Sequence, residues 1–103
     1  MENDLSMGAA WMNGKVLPIS QAMIPVNDWG LVHSDITYDV VPVIDGAFFR
    51  FGEYLARFLS SMENLHLDPG MSKRDIKAAL HQMVGKSSLR DSYVAMVCSL
   101  SLI

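Results

Sequence analysis

The run HSDITYDV, residues 33–40, sets an imidazole, two carboxylates, two hydroxyls and a phenol at the head of the apolar VVPVI. These are the groups of acid–base and nucleophilic chemistry, and of pocket walls that read a polar substrate. A nucleophile, its base and its orienter normally come from several elements, however, so the run by itself reads equally as the solvated entrance to a core strand. Arg57 is the second candidate. Its guanidinium carries a permanent charge and a planar fork of donors that suits phosphate or carboxylate oxygens. It sits off the apolar stripe of its helix, where an ordinary surface arginine would also sit, its stem covering a neighbour.

Other chemistries find little support. No glycine-rich phosphate cradle is present, and Gly30 alone does not make one. His66 and His81 lack a ligand partner four residues on, and the single cysteine, Cys98, belongs to no zinc spacing and makes no internal disulfide. No metal site is expected.

The elements that must hold these residues follow from turn signals and periodicity. Asn13-Gly14 between Trp11-Met12 and Lys15–Ile19 is a hairpin signal of the two-residue type I′ kind. Ser20 to Gly30 lacks a period and reads as loop, with a short extended piece at Met23–Val26. Ile36–Ile44 is apolar in both phases apart from Asp39, which predicts a strand covered on both sides. Asp45-Gly46 repeats the hairpin signal, with Ala47–Phe51 as the returning strand. From Glu53 the period changes: Leu55, Phe58, Leu59, Met62 and Leu65 mark one face of a helix that ends before Asp68. Ser72, with Asp75 three residues on, caps a second helix carrying Ile76, Ala79, Leu80, Met83 and Val84 inward, with Gly85 as its stop. Ser92–Leu100 is a further strand. The order predicts an α+β fold: a small antiparallel sheet with two consecutive helices packed on it.

Composition bounds the function. At 103 residues the chain fits one small domain, and half of it is hydrophobic, which suggests surface that expects a partner. Eight basic against eleven acidic residues leave a net charge of −3, so neither nucleic acid nor an anionic membrane is favoured. With no long apolar run, no signal-peptide pattern and one thiol, the expectation is a cytoplasmic protein.

Three stretches in order, AWMNGKVLP, IPVNDWGLVHSDITYDVVPVIDGAFFRFGEYLARFLSSMENLHL and LRDSYVAMV, resemble the N-terminal small domain of the fold-type IV (class IV) pyridoxal-phosphate-dependent aminotransferases. The resemblance runs from about Ala9 to Cys98, and HSDITYDV with FFR and Arg57 looks most like the (R)-selective amine transaminases and branched-chain aminotransferase-like proteins of that group. It implies that residues 9–98 form that domain, after a flexible segment 1–8 and before an atypical tail, 99–103, that looks like a truncation or junction. It also implies roles. Arg57 matches the arginine that holds the cofactor phosphate. His33 and Tyr38 match walls of the substrate pocket, and Val40 lies one strand step beyond Tyr38 on the same face. Tyr54 stands where histidine is usual.

The cofactor implied is pyridoxal 5′-phosphate, which serves as an electron sink for transfer of an amino group between an amine or amino acid and an oxo acid. None of Lys15, Lys73, Lys77 and Lys86 matches the family's Schiff-base lysine, which belongs to a C-terminal large domain, so no catalytic residue is expected in this chain and activity of the 103 residues alone is not expected. Partners implied are that large domain and a second copy in a homodimer. Two alternatives stay open: a non-catalytic truncated paralogue that binds or regulates, and a lyase of the same fold, like aminodeoxychorismate lyase.

Overall fold

The two Asn-Gly and Asp-Gly pairs do what their chemistry predicts. In the computed structural model, which describes Leu5 and residues 7–100, Asn13 and Gly14 take φ of 51° and 86°, and Asp45 and Gly46 take 51° and 82°. Positive φ at both central residues is the type I′ geometry, whose twist matches that of the flanking strands. Most of the expected flexible segment 1–8, and residues 101–103 of the expected tail, lie outside the described residues.

The fold is α+β and its contacts divide into two units. The first comprises Met1–Met23 and Met71–Leu89. Here β1 (Ala9–Met12) pairs antiparallel with β2 (Lys15–Pro18), Ala9 opposite Pro18 and Met12 opposite Lys15, and a single 3-10 turn follows at Ile19–Gln21. The unit's long helix, α3 (Lys73–Ser87), packs on β1 and buries Ile76, Ala79, Leu80 and Met83. Ser72 caps it as expected, its Oγ accepting the Asp75 N–H at 3.1 Å. Gly85 does not stop the helix. The end comes two residues later, where the Ser87 hydroxyl donates to the Val84 carbonyl at 2.8 Å and accepts the Leu89 N–H at 3.2 Å, and Ser88 turns left-handed. A side chain that satisfies the terminal backbone groups outweighs the weaker preference of glycine.

The second unit comprises Ile24–Gly70 and Arg90–Ile103. Its sheet has the order β4-β3-β5, all antiparallel, from β3 (Ile36–Ile44), β4 (Ala47–Phe48) and β5 (Ser92–Ser99). Strand β4 is shorter than predicted. The Phe49 N–H donates to the Pro42 carbonyl at 2.9 Å, but Pro42 has no N–H to return, so the ladder stops and α2 (Phe51–Asn64) begins at once. Met23–Val26 forms no strand, and α1 (Trp29–His33) occupies the end of what the sequence suggested was loop. At five residues it is too short to display a period. Its signal was Asp28, whose carboxylate accepts the Leu31 N–H at 3.2 Å as a cap.

Burial alternates along the sheet. Asp39, Val41 and Val43 of β3 and Val94 and Met96 of β5 face inward, and α2, carrying buried Leu55, Phe58 and Met62, packs against β3. Tyr38, Ile44, Tyr93, Ala95 and Val97, with half-buried Val40 and Pro42, fall in the opposite phase. Both phases are apolar, as the sequence has it, yet within the described residues one face is covered and the other open. No helix among those residues is long and apolar enough to cross a membrane.

Candidate functional site

Asp39 shares the phase of Val41 and Val43, so strand geometry aims a carboxylate at the covered face. A charge there needs a partner. Helix α2 supplies it two residues past Leu55: Arg57 Nε donates to Asp39 Oδ2 and Nη2 to Oδ1, both at 2.6 Å. This is a bidentate pair taken side-on by the guanidinium. Asp39 Oδ1 also accepts the Val40 N–H at 2.9 Å. The Arg57 Cζ lies 5.2 Å from the centroid of the Tyr54 ring, one turn back on the helix, within cation–π range.

The two partners differ in solvation. The Asp39 side chain is only 9 % exposed, the Arg57 side chain 64 %. The hydrogen bonds from Arg57 hold the Asp39 carboxyl below the usual carboxylate range; burial opposes this, and the Val40 N–H and the guanidinium charge reinforce it. Asp39 in turn raises Arg57 above its ordinary value, first through the same hydrogen bonds and then through charge. The pair is therefore ionised at neutral pH. A guanidinium has five N–H groups, and Asp39 engages one on Nε and one on Nη2. The end-on fork, made by Nη1 and the outer Nη2 proton, stays outside the pair. A planar pair of charged N–H donors of this kind is the donor set that suits a phosphate or carboxylate group.

The remaining predicted residues stand elsewhere. Tyr38, 67 % exposed, and Val40 lie on the open face, opposite Val97 and Ala95 of β5. The structure thus joins Arg57 to Asp39 and sets Tyr38 and Val40 on the other side of the same strand. His33 ends α1, exposed. Its Nδ1 lies 3.1 Å from the Trp29 carbonyl, which only accepts, so that nitrogen donates. The imidazole stacks on the Trp29 ring with centroids 3.6 Å apart, and Trp29 Nε1 donates to Asp35 Oδ2 at 2.9 Å. His33 and Asp35, neighbours in the opening cluster, are thereby linked through a tryptophan that the sequence did not single out.

Gly30 has a packing role rather than a phosphate one. A Cβ there would lie 2.7 Å from Ser99 Cβ, 2.8 Å from the Leu100 nitrogen and 2.9 Å from the Asp35 carbonyl oxygen. Only glycine lets α1 approach the end of β5 so closely, where the Leu100 N–H also donates to the Asp35 carbonyl at 2.9 Å. Burial, and then the Asp68 charge, push the Cys98 thiol up, so it is held neutral. Among the described residues no group of three His, Cys, Asp or Glu is arranged for a metal. All four lysines are exposed, Lys15 on β2 and Lys73, Lys77 and Lys86 on α3.

The residue that sequence reasoning passed over is Asp39. It was visible only as one acid in a polar cluster. The signal was its phase: a carboxylate in step with Val41 and Val43 demands a cation from whichever element covers that face.

No protein-family model matches the chain. It is 26 % identical over 87 residues to a Methanocaldococcus jannaschii protein with a provisional name as a branched-chain-amino-acid aminotransferase, covering 84 % of this chain and 30 % of that protein. It is 27 % identical over 79 residues to the D-alanine aminotransferase of Bacillus licheniformis, covering 77 % of this chain and 28 % of the enzyme. The crystal structure of the Thermoproteus uzoniensis branched-chain aminotransferase with norvaline superposes with a TM-score of 0.80 at 19 % identity, over 92 % of this chain and 34 % of that one. The relatives are thus class IV aminotransferases, the fold is that of their corresponding part, and the chain spans about 30 % of the length of the curated relatives it matches.

Proposed function

We propose that this chain is the phosphate-holding and substrate-facing N-terminal part of a pyridoxal-phosphate-dependent transaminase. The observation that carries the reading is the state of Arg57: anchored along one edge by Asp39, ionised, largely exposed, and with a second donor fork outside the pair. That donor set suits a phosphate ester. Pyridoxal 5′-phosphate, when bound, supplies the electron sink for moving an amino group between an amine or amino acid and an oxo acid. This chain's contribution is to bind and orient. Arg57 holds the phosphate, while Tyr38 and Val40 on the open face, with His33 at the end of α1, form walls that select the substrate substituent. A large domain supplies the Schiff-base lysine and covers the open face, and a second copy completes a homodimer.

The test is a cofactor titration. Arg57→Ala should weaken binding of pyridoxal 5′-phosphate by about tenfold to a hundredfold, the loss expected for hydrogen bonds to a charged group. Arg57→Lys should restore part of it, because an ammonium keeps the charge and loses the planar fork. Unchanged affinity in Arg57→Ala would return Arg57 to the ordinary helix surface. The lysine assignment has its own check: with cofactor added, the 103-residue chain should show no absorption band of lysine-bound cofactor that disappears on replacing a single one of its lysines.

A further inference from the structure

Arg57 faces a difficulty that its role in the proposed function does not remove. An exposed arginine side chain has several free torsions, and fixing it at the moment of binding costs conformational entropy. A guanidinium that merely floats above the surface is a poor directional donor. The structure holds this one from below. Asp39 is buried on the middle strand of its sheet, its Oδ1 is further fixed by the Val40 N–H, and its two oxygens engage the Nε–Nη2 edge at 2.6 Å each. The Tyr54 ring stands beside the same guanidinium.

We infer that Asp39 is a positioning residue for phosphate binding: it locks the side-on edge of Arg57 so that the end-on fork meets the phosphate in a fixed direction. The inference rests on the phosphate reading of Arg57 and adds to it the residue that makes Arg57 directional. It predicts a sign that plain electrostatics reverses. Asp39 is a negative charge bonded to the arginine that receives an anion, so by charge alone its removal should tighten anion binding. If its work is orientation, its removal should loosen binding.

The test uses pyridoxamine 5′-phosphate, which has no aldehyde and so cannot react with the lysines, with phosphate-free pyridoxamine as control. Binding is followed by titration, and the Arg57 Nε–H resonance is followed by NMR. In the unsubstituted chain that resonance should be sharp and protected from exchange. Asp39→Asn keeps the shape and an acceptor for Val40 but loses the charge. It should weaken the phosphate ligand by about tenfold, the loss of a charge-assisted contact, and broaden the Nε–H resonance. Asp39→Glu should recover part of both. In an Arg57→Ala background, Asp39→Asn should bring no further weakening.

Tighter or unchanged binding in Asp39→Asn, with Arg57→Ala still weakened, would overturn the positioning role and leave the phosphate reading standing. Equal weakening by Asp39→Asn with and without Arg57 would overturn it too, since Asp39 would then act on its own. Unchanged binding in Arg57→Ala would overturn both readings together. Thermal unfolding is recorded for each variant. Should Asp39→Asn not fold, Arg57→Lys carries the test: it keeps the charge but cannot offer two forks at a fixed angle, and full affinity there would overturn the inference.

Discussion

Strand β3 meets an arginine near its start and another just past its end. Asp39 binds Arg57 and Asp45 binds Arg90, each with a closest contact of 2.6 Å. By distance the two pairs are the same. They differ in what lies around them. Asp45 is 85 % exposed and Arg90 is exposed too, and their pair ties the β3–β4 turn to the approach of β5, where the Gly46 N–H donates to the Arg90 carbonyl at 2.7 Å and the Asp45 N–H to Asp91 Oδ1 at 2.9 Å. Asp39 is buried, both of its oxygens face one guanidinium edge, and that guanidinium has a fork to spare. Water competes freely for the first pair and reaches only one partner of the second. Distance alone therefore does not distinguish the two pairs; burial of the carboxylate does.

The contrast breaks most completely if the platform under one pair is removed. Leu55 is fully buried on α2, two residues before Arg57, and Leu55→Ala should cost about 2–5 kcal/mol. Denaturant unfolding measures the loss, and the Arg57 Nε–H resonance should broaden while that of Arg90 stays as it was. Next in size is Gly30→Ala. The added methyl would meet Ser99 and the backbone of Leu100 and Asp35, and overpacking of this kind costs about 1–3 kcal/mol. A shift of α1 should also disturb the hydrogen bond from Trp29 Nε1 to Asp35 Oδ2, seen as a change in tryptophan fluorescence.

A pH series sharpens the comparison. The folded-state pKa of Asp39 is depressed, so its contribution is fully present above its unfolded value, about 3.9, and is lost as pH falls through the folded value. The stability gap between the unsubstituted chain and Asp39→Asn should be constant from about pH 7 to 5 and should close below about pH 4. A gap that widens on acidification would mean the carboxylate is not the charged partner described here. The smallest effect belongs to the exposed pair. Asp45→Asn should change stability by under about 0.5 kcal/mol, because a screened surface pair contributes little and asparagine is at home in a type I′ turn.

Local chemistry was legible residue by residue. Asn13-Gly14 and Asp45-Gly46 demand positive φ and make the same turn wherever they stand, and Ser72 caps α3 with its own hydroxyl. The existence of α2 and α3 follows from periods that the sequence displays directly, and β3 from a bounded apolar run. Each miss has its own physical reason. Gly85 gave way to Ser87 at the end of α3, Pro42 ended β4 early by lacking a donor, and α1 was too short for a pattern.

The sequence by itself determined the α+β order of elements, both hairpin turns, the likeness to class IV aminotransferases, and Arg57 as a candidate anion-binding residue. Tertiary structure decided what Arg57 is attached to. Asp39 lies eighteen residues away on another element, and the period of two on β3 and of 3.6 on α2 each fix a face without saying which residues will meet across the gap. That meeting depends on how a helix sits on a sheet. The buried carboxylate and the exposed guanidinium meet only once packing has set the register between them.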